Sequence, residues 1–68
     1  MKVIDARGRS CPEPVIMAKN GLETDPAGIE ILLDTHVSVE NVSRLAKSMG
    51  YQVSVAEEQG DFHLTIKK

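Results

Sequence analysis

Val42, Leu45, Ala46 and Met49 fall at i, i+3, i+4 and i+7, with charged and hydroxyl residues between them. That spacing draws one apolar stripe along a helix and leaves its other side polar. Ser38 reads as the N-cap, Glu40 as a first-turn acid, and Gly50 as the C′ residue that stops the helix. Glu40 and Arg44 are correctly ordered for a surface pair. An earlier stripe, Val15, Ala18 and Leu22, widened by Ile16 and Met17, predicts a first helix from Pro12 to about Glu23. Its weak point is Asn20-Gly21, since a mid-helix glycine costs about 1 kcal/mol relative to alanine. Two helices with one stripe each can cover only one face of a small sheet.

The remaining segments supply that sheet. Lys2 to Ala6 is a short strand, followed by a polar turn from Asp5 to Ser10 around Gly8. Asp25-Pro26-Ala27-Gly28 is a turn, and Ile29 to Asp34 a strand whose nearly continuous apolar run suggests cover on at least part of both faces, or a central position. Thr35-His36-Val37 connects it to the second helix. Tyr51, Val53 and Val55 then share one face of a strand, and Phe62, Leu64 and Ile66 one face of another. Glu57-Glu58-Gln59-Gly60-Asp61 joins them as a hairpin loop. The order is β-α-β-α-β-β, and the expected fold class is α/β. It is a two-layer α/β sandwich with a mixed four-stranded sheet, both helices on one face and the opposite face partly open.

Size and charge narrow the function. At 68 residues and 7.4 kDa the chain, residues 1–68, reads as a single domain. Aromatic residues make up only 3%, so the core must come from Val, Ile, Leu, Ala and Met. A net charge of −2, a pI near 5.5 and the lack of a stacking platform argue against direct nucleic-acid binding. No apolar run approaches the roughly 20 residues needed to span a bilayer, so no membrane role is expected. Met1-Lys2-Val3-Ile4-Asp5 has no signal-peptide apolar region, which makes the cytoplasm the expected location. His36 and His63 read as surface or cross-strand residues. With one cysteine they form no metal-ligand set, and no cofactor is called for.

The chemistry concentrates in Arg7-Gly8-Arg9-Ser10-Cys11-Pro12-Glu13-Pro14-Val15, which holds the only cysteine. Pro12 suits the first helical position and biases Cys11 away from helical geometry, so Cys11 reads as the N-cap. A thiolate there would face the free N–H groups and the positive end of the helix dipole. Pro14 removes a further donor, leaves the Glu13 N–H as the main one and disfavours helical geometry at Glu13, so a start only at Pro14 and a cap at any of residues 11–13 stay open. Arg7 and Arg9 would favour an anionic sulfur, and Glu13 would oppose it. A lone cysteine in a small domain is often a buried apolar residue. The polar and rigid flanks of Cys11 favour a functional thiol instead. No neighbouring base supports hydrolytic catalysis, and no second thiol supports a dithiol cycle. What remains is a sulfur that receives a group from one protein and passes it to another.

Asp5-Ala6-Arg7-Gly8 followed by Cys11-Pro12-Glu13-Pro14-Val15 resembles the signature of the TusA/SirA/YedF family of small sulfur-carrier proteins, with its Cys-Pro-x-Pro element. Val39-Glu40-Asn41-Val42, Gly50-Tyr51 and Gly60-Asp61-Phe62-His63-Leu64-Thr65-Ile66 look closer to the YedF branch, which is linked to selenium metabolism. Some members of that branch carry a second domain, so this chain could be one domain of a longer protein. The resemblance implies a two-layer α/β sandwich in which Cys11 carries sulfur as a persulfide, with Pro12 and Pro14 as stiffening residues. It implies a sulfur or selenium carrier of sulfurtransferase type rather than a stand-alone enzyme. Its partners would be a cysteine desulfurase or rhodanese-like donor and a downstream acceptor protein. The alternative is a non-catalytic interaction or regulatory module that uses the open sheet face. A peroxide-sensing thiol ranks below both, because no resolving cysteine exists in the chain.

Overall fold

The computed structural model describes residues 1–68. Its elements are β1 (Lys2–Asp5), α1 (Glu13–Thr24), β2 (Gly28–Leu33), α2 (His36–Ser48), β3 (Gln52–Glu58) and β4 (Asp61–Lys67). The sheet order is β1-β2-β4-β3, with β1 parallel to β2 and the β2–β4 and β4–β3 pairs antiparallel. Both expected layers are present. Strand β4 fills the space between β2 and β3, so the crossover through α2 spans it.

Register explains which face the helices cover. Ile29, Ile31 and Leu33 of β2 stand opposite Ile66, Leu64 and Phe62 of β4. All six are buried and share one core with Ala18 and Leu22 of α1 and Val42 and Ala46 of α2. Leu45, Met49, Val15 and Met17 pack against that core while only partly buried. Ile16 does not widen the first stripe, because its side chain is half exposed. On the other face Glu30, Leu32, His63 and Thr65 lie in register without a helix above them. There His63 Nε2 meets Glu30 Oε2 at 2.9 Å. His36 instead tilts against Phe62 at the start of α2, with ring centroids 4.7 Å apart.

The start of α2 and the hairpin loop differ from the sequence reading. The N-cap of α2 is Thr35, not Ser38: Thr35 Oγ1 accepts the Ser38 N–H at 3.1 Å and donates to Ser38 Oγ at 2.9 Å. Ser38 sits one turn in and is buried, and Glu40 lies beyond the first turn. Glu40 and Arg44 form no ion pair, since Arg44 turns toward Asn41 instead. The hairpin loop is only Gln59-Gly60, both with positive φ (51° and 85°). This is the mirror-image turn whose twist matches two antiparallel strands, so pairing extends to Glu58 and Asp61. At the far end of α2, Gly50 N–H donates to Lys47 O and Tyr51 N–H to Ala46 O, both at 3.0 Å, which closes the helix as expected.

Candidate functional site

Cys11 is exposed and lies two residues before α1. The helix begins one residue later than its sequence suggests, at Glu13, and Pro12 rather than Cys11 is the N-cap. The carbonyl of Pro12 receives the first helical bond, from Ile16 N–H at 3.1 Å. The Glu13 N–H, expected as the main donor to the sulfur, is engaged by Ser10 O at 2.9 Å. No side chain caps the helix. Pro14 stands at the second helical position and is fully buried, so it anchors the start of α1 in the core. Pro12 stays at the surface beside the sulfur, across a cis Cys11–Pro12 peptide bond.

The charged flanks do not converge on Cys11. Arg7 forks onto Asp5, with Nε to Oδ1 and Nη2 to Oδ2 both at 2.9 Å, and its Nη1 reaches Asp61 Oδ2 at 2.9 Å. These bonds hold the Asp5 carboxyl down at about 2 and raise the guanidinium further. Arg7 is therefore a clasp between the loop, β1 and β4. Arg9 pairs with Glu13 at 3.2 Å, so the cation and anion nearest the sulfur in sequence largely answer each other. Gly8 N–H donates to Asp34 Oδ2 at 2.8 Å, which ties the same loop to the end of β2. The Arg7 and Gly8 contacts make the cysteine loop a braced span between fixed points.

The partner of the sulfur comes from α2. Asn41 Nδ2 approaches Cys11 Sγ at 3.9 Å, and Arg44 Nη1 donates to Asn41 Oδ1 at 3.5 Å. Cys11, Pro12 and Val15 line one side of an open groove, and Asn41, Arg44, Leu45 and Ser48 line the other. Sequence reasoning missed Asn41 because 30 residues separate it from Cys11. The available signal was its place in the second helix, one residue before the stripe position Val42 and one turn before Leu45. No group of three or more His, Cys, Asp or Glu side chains is placed to hold a metal ion. No helix is long and apolar enough to cross a membrane.

Comparison with known proteins bears on the family. The family described as Sulfurtransferase TusA matches residues 2–68. The chain belongs to the TusA family. A provisionally named sulfur carrier protein of Methanocaldococcus jannaschii is 39% identical to this TusA-family chain over 71 residues, covering 100% of this chain and 95% of its own length. The sulfur carrier protein TusA of Allochromatium vinosum is 32% identical, covering 96% and 90% of the two chains. The crystal structure of a SirA-like protein from Desulfitobacterium hafniense superposes with a TM-score of 0.88 at 39% identity, covering 98% and 96%. The expected family and two-layer fold are thus both found.

Proposed function

We propose that this TusA-family chain is a sulfur carrier and that Cys11 is the atom-bearing residue. The observation that carries the reading is an exposed, solitary thiol at the tip of a braced loop, over an open groove between two helices. Its full-length relatives bear sulfur-carrier names. The supporting residues divide by task. Pro12 and Pro14 stiffen the approach to α1, Arg7 clasps the loop, and Arg9 with Glu13 sets the local charge.

The chemistry needs no cofactor. The Cys11 thiolate attacks the outer sulfur of a persulfide on a donor such as a cysteine desulfurase or rhodanese-like protein. A new S–S bond forms on Cys11, the donor's S–S bond breaks, and the electron pair leaves on the donor cysteine. Delivery repeats the step in reverse sense. A nucleophile of the acceptor protein takes the outer sulfur, and Cys11 departs as thiolate. Both steps are exchanges without net oxidation, which suits a protein with one thiol and no resident base.

The test is mass spectrometry after incubation with a cysteine desulfurase and cysteine. Wild type should gain the mass of sulfur on Cys11, and Cys11→Ser should gain none. No addition to wild type, or equal addition to Cys11→Ser, sinks the reading. A parallel incubation with selenocysteine asks the same of selenium.

A further inference from the structure

We propose that Asn41 is a positioning residue for anionic sulfur at Cys11, and that Arg44 sets which way its amide faces. The proposal rests on the carrier reading for the cargo, but the contact it invokes is already present in the thiol form.

Asn41 is half-buried on α2 and touches two groups. Its Oδ1 accepts from Arg44 Nη1, and its Nδ2 is directed at Cys11 Sγ. A guanidinium carries only donors, so it can hold only the oxygen side of an amide. Arg44 therefore leaves the NH2 side for the sulfur. At 3.9 Å the N–H···S contact is long and weak for a neutral thiol. Bonds to ionised acceptors are shorter and about twice as strong, so the same geometry favours an anion over a thiol. Polarisation of the amide by Arg44 acts in the same direction.

The other charges near the sulfur are engaged in pairs of their own. Arg9 on the loop and Glu13 on α1 are bound to each other, and Arg7 is held by Asp5 and Asp61. Arg44 makes no ion pair, so its charge stands uncompensated beside the groove. An outer sulfur would sit about 2 Å beyond Sγ. Along the groove it would meet the apolar sides of Pro12, Val15 and Leu45 while staying near the Asn41 amide. Delivery of the outer sulfur leaves the electron pair of the broken S–S bond on Cys11 Sγ, where a fixed N–H donor stabilises the departing thiolate without a proton having to move.

The experiment measures the rate of Cys11 alkylation by iodoacetamide against pH. Wild type is compared with Asn41→Leu, Asn41→Asp, Asn41→Gln and Arg44→Leu, with Cys11→Ser as blank. Arg44 is exposed and Asn41 half-buried along the groove, and thermal unfolding checks that each variant is folded. Asn41→Leu should slow alkylation about three- to tenfold near pH 7, the effect of losing one hydrogen bond of ordinary net strength, with the gap to wild type narrowing as pH rises. Asn41→Asp should slow it more, Arg44→Leu less, and Asn41→Gln should restore part of the loss. Persulfide formed with polysulfide at neutral pH should fall in the same order. Superimposable profiles for wild type and Asn41→Leu overturn the proposal. Separated profiles in a protein that takes no sulfur from a desulfurase would uphold the Asn41 contact and reject the carrier reading.

Discussion

Gly21 lies in the middle of α1 so close to Ile4 of β1 that a Cβ added there would overlap the Ile4 Cδ1 methyl. The same Cβ would come within 3.2 Å of Ile29 Cδ1, whose side chain is fully buried and has nowhere to go. The glycine that weakens the helix locally is what lets α1 lie down on β1 and β2. Gly21→Ala would gain about 1 kcal/mol of helix propensity and lose about 1–3 kcal/mol to overpacking, a net destabilisation. Ile4→Val deletes the overlapping methyl. The double variant should therefore be more stable than the two single changes sum to, by roughly 0.5–1.5 kcal/mol. Urea denaturation of all four proteins reads the coupling, and strict additivity would show that Ile4 yields freely.

Asp5 gives the fold an acid-sensitive clasp. Its carboxyl titrates at about 2 in the folded chain, below the ordinary 3.8, because Arg7 hydrogen-bonds its charged form. A depressed folded value means that the contribution is present above about pH 4 and fades as pH falls toward 2. Asp5→Asn should be less stable than wild type near neutral pH and should close the gap in acid. Both groups are exposed, so added salt should narrow the difference as well. A stability difference that stays constant from pH 6 to about pH 2 would contradict the clasp.

Thr35 links helix geometry to the candidate site, since it caps the helix that carries Asn41. Thr35→Ala removes the acceptor for the Ser38 N–H and should cost about 1 kcal/mol, with glycine at the same place costing less. Amide hydrogen exchange should speed up first at residues 36–40. Uniform exchange along α2 would mean that the cap is not what holds that end.

The layers and the order of elements along the chain were legible because they depend on periodicity. The stripe Val42, Ala46 and the alternation Phe62, Leu64, Ile66 each determine a buried face with no knowledge of their neighbours. The helix starts were less legible. Thr35 and Ser38 are both good caps at nearby positions, and burial of Ser38 against the core decides between them. At α1 the Ser10 carbonyl captures the Glu13 N–H, a local choice that two prolines make hard to read. The surroundings of the sulfur were least legible because they are assembled across the fold. Arg7 is drawn away by Asp61, which is distant in sequence but is brought beside the loop by the β2–β4 pairing. Asn41 arrives on a separate helix. Sequence proximity marked an exposed thiol but set beside it charges that the fold binds elsewhere.

The Arg9–Glu13 pair supplies the last expectation. With Glu13 bound to Arg9 at 3.2 Å, the guanidinium next to the cysteine loop is answered before any partner arrives. Glu13→Gln would release it and make the entrance to Cys11 more positive. A negatively charged aromatic disulfide should then react with Cys11 about two- to threefold faster than with wild type at low salt, while neutral iodoacetamide should change little. The gain should vanish near 1 M salt, where the Debye length shrinks to about 3 Å. Arg9→Gln in the same background should return both reagents to the wild-type ratio. An equal acceleration of the neutral and anionic reagents would instead mean that Glu13 acts on the sulfur directly rather than by restraining Arg9.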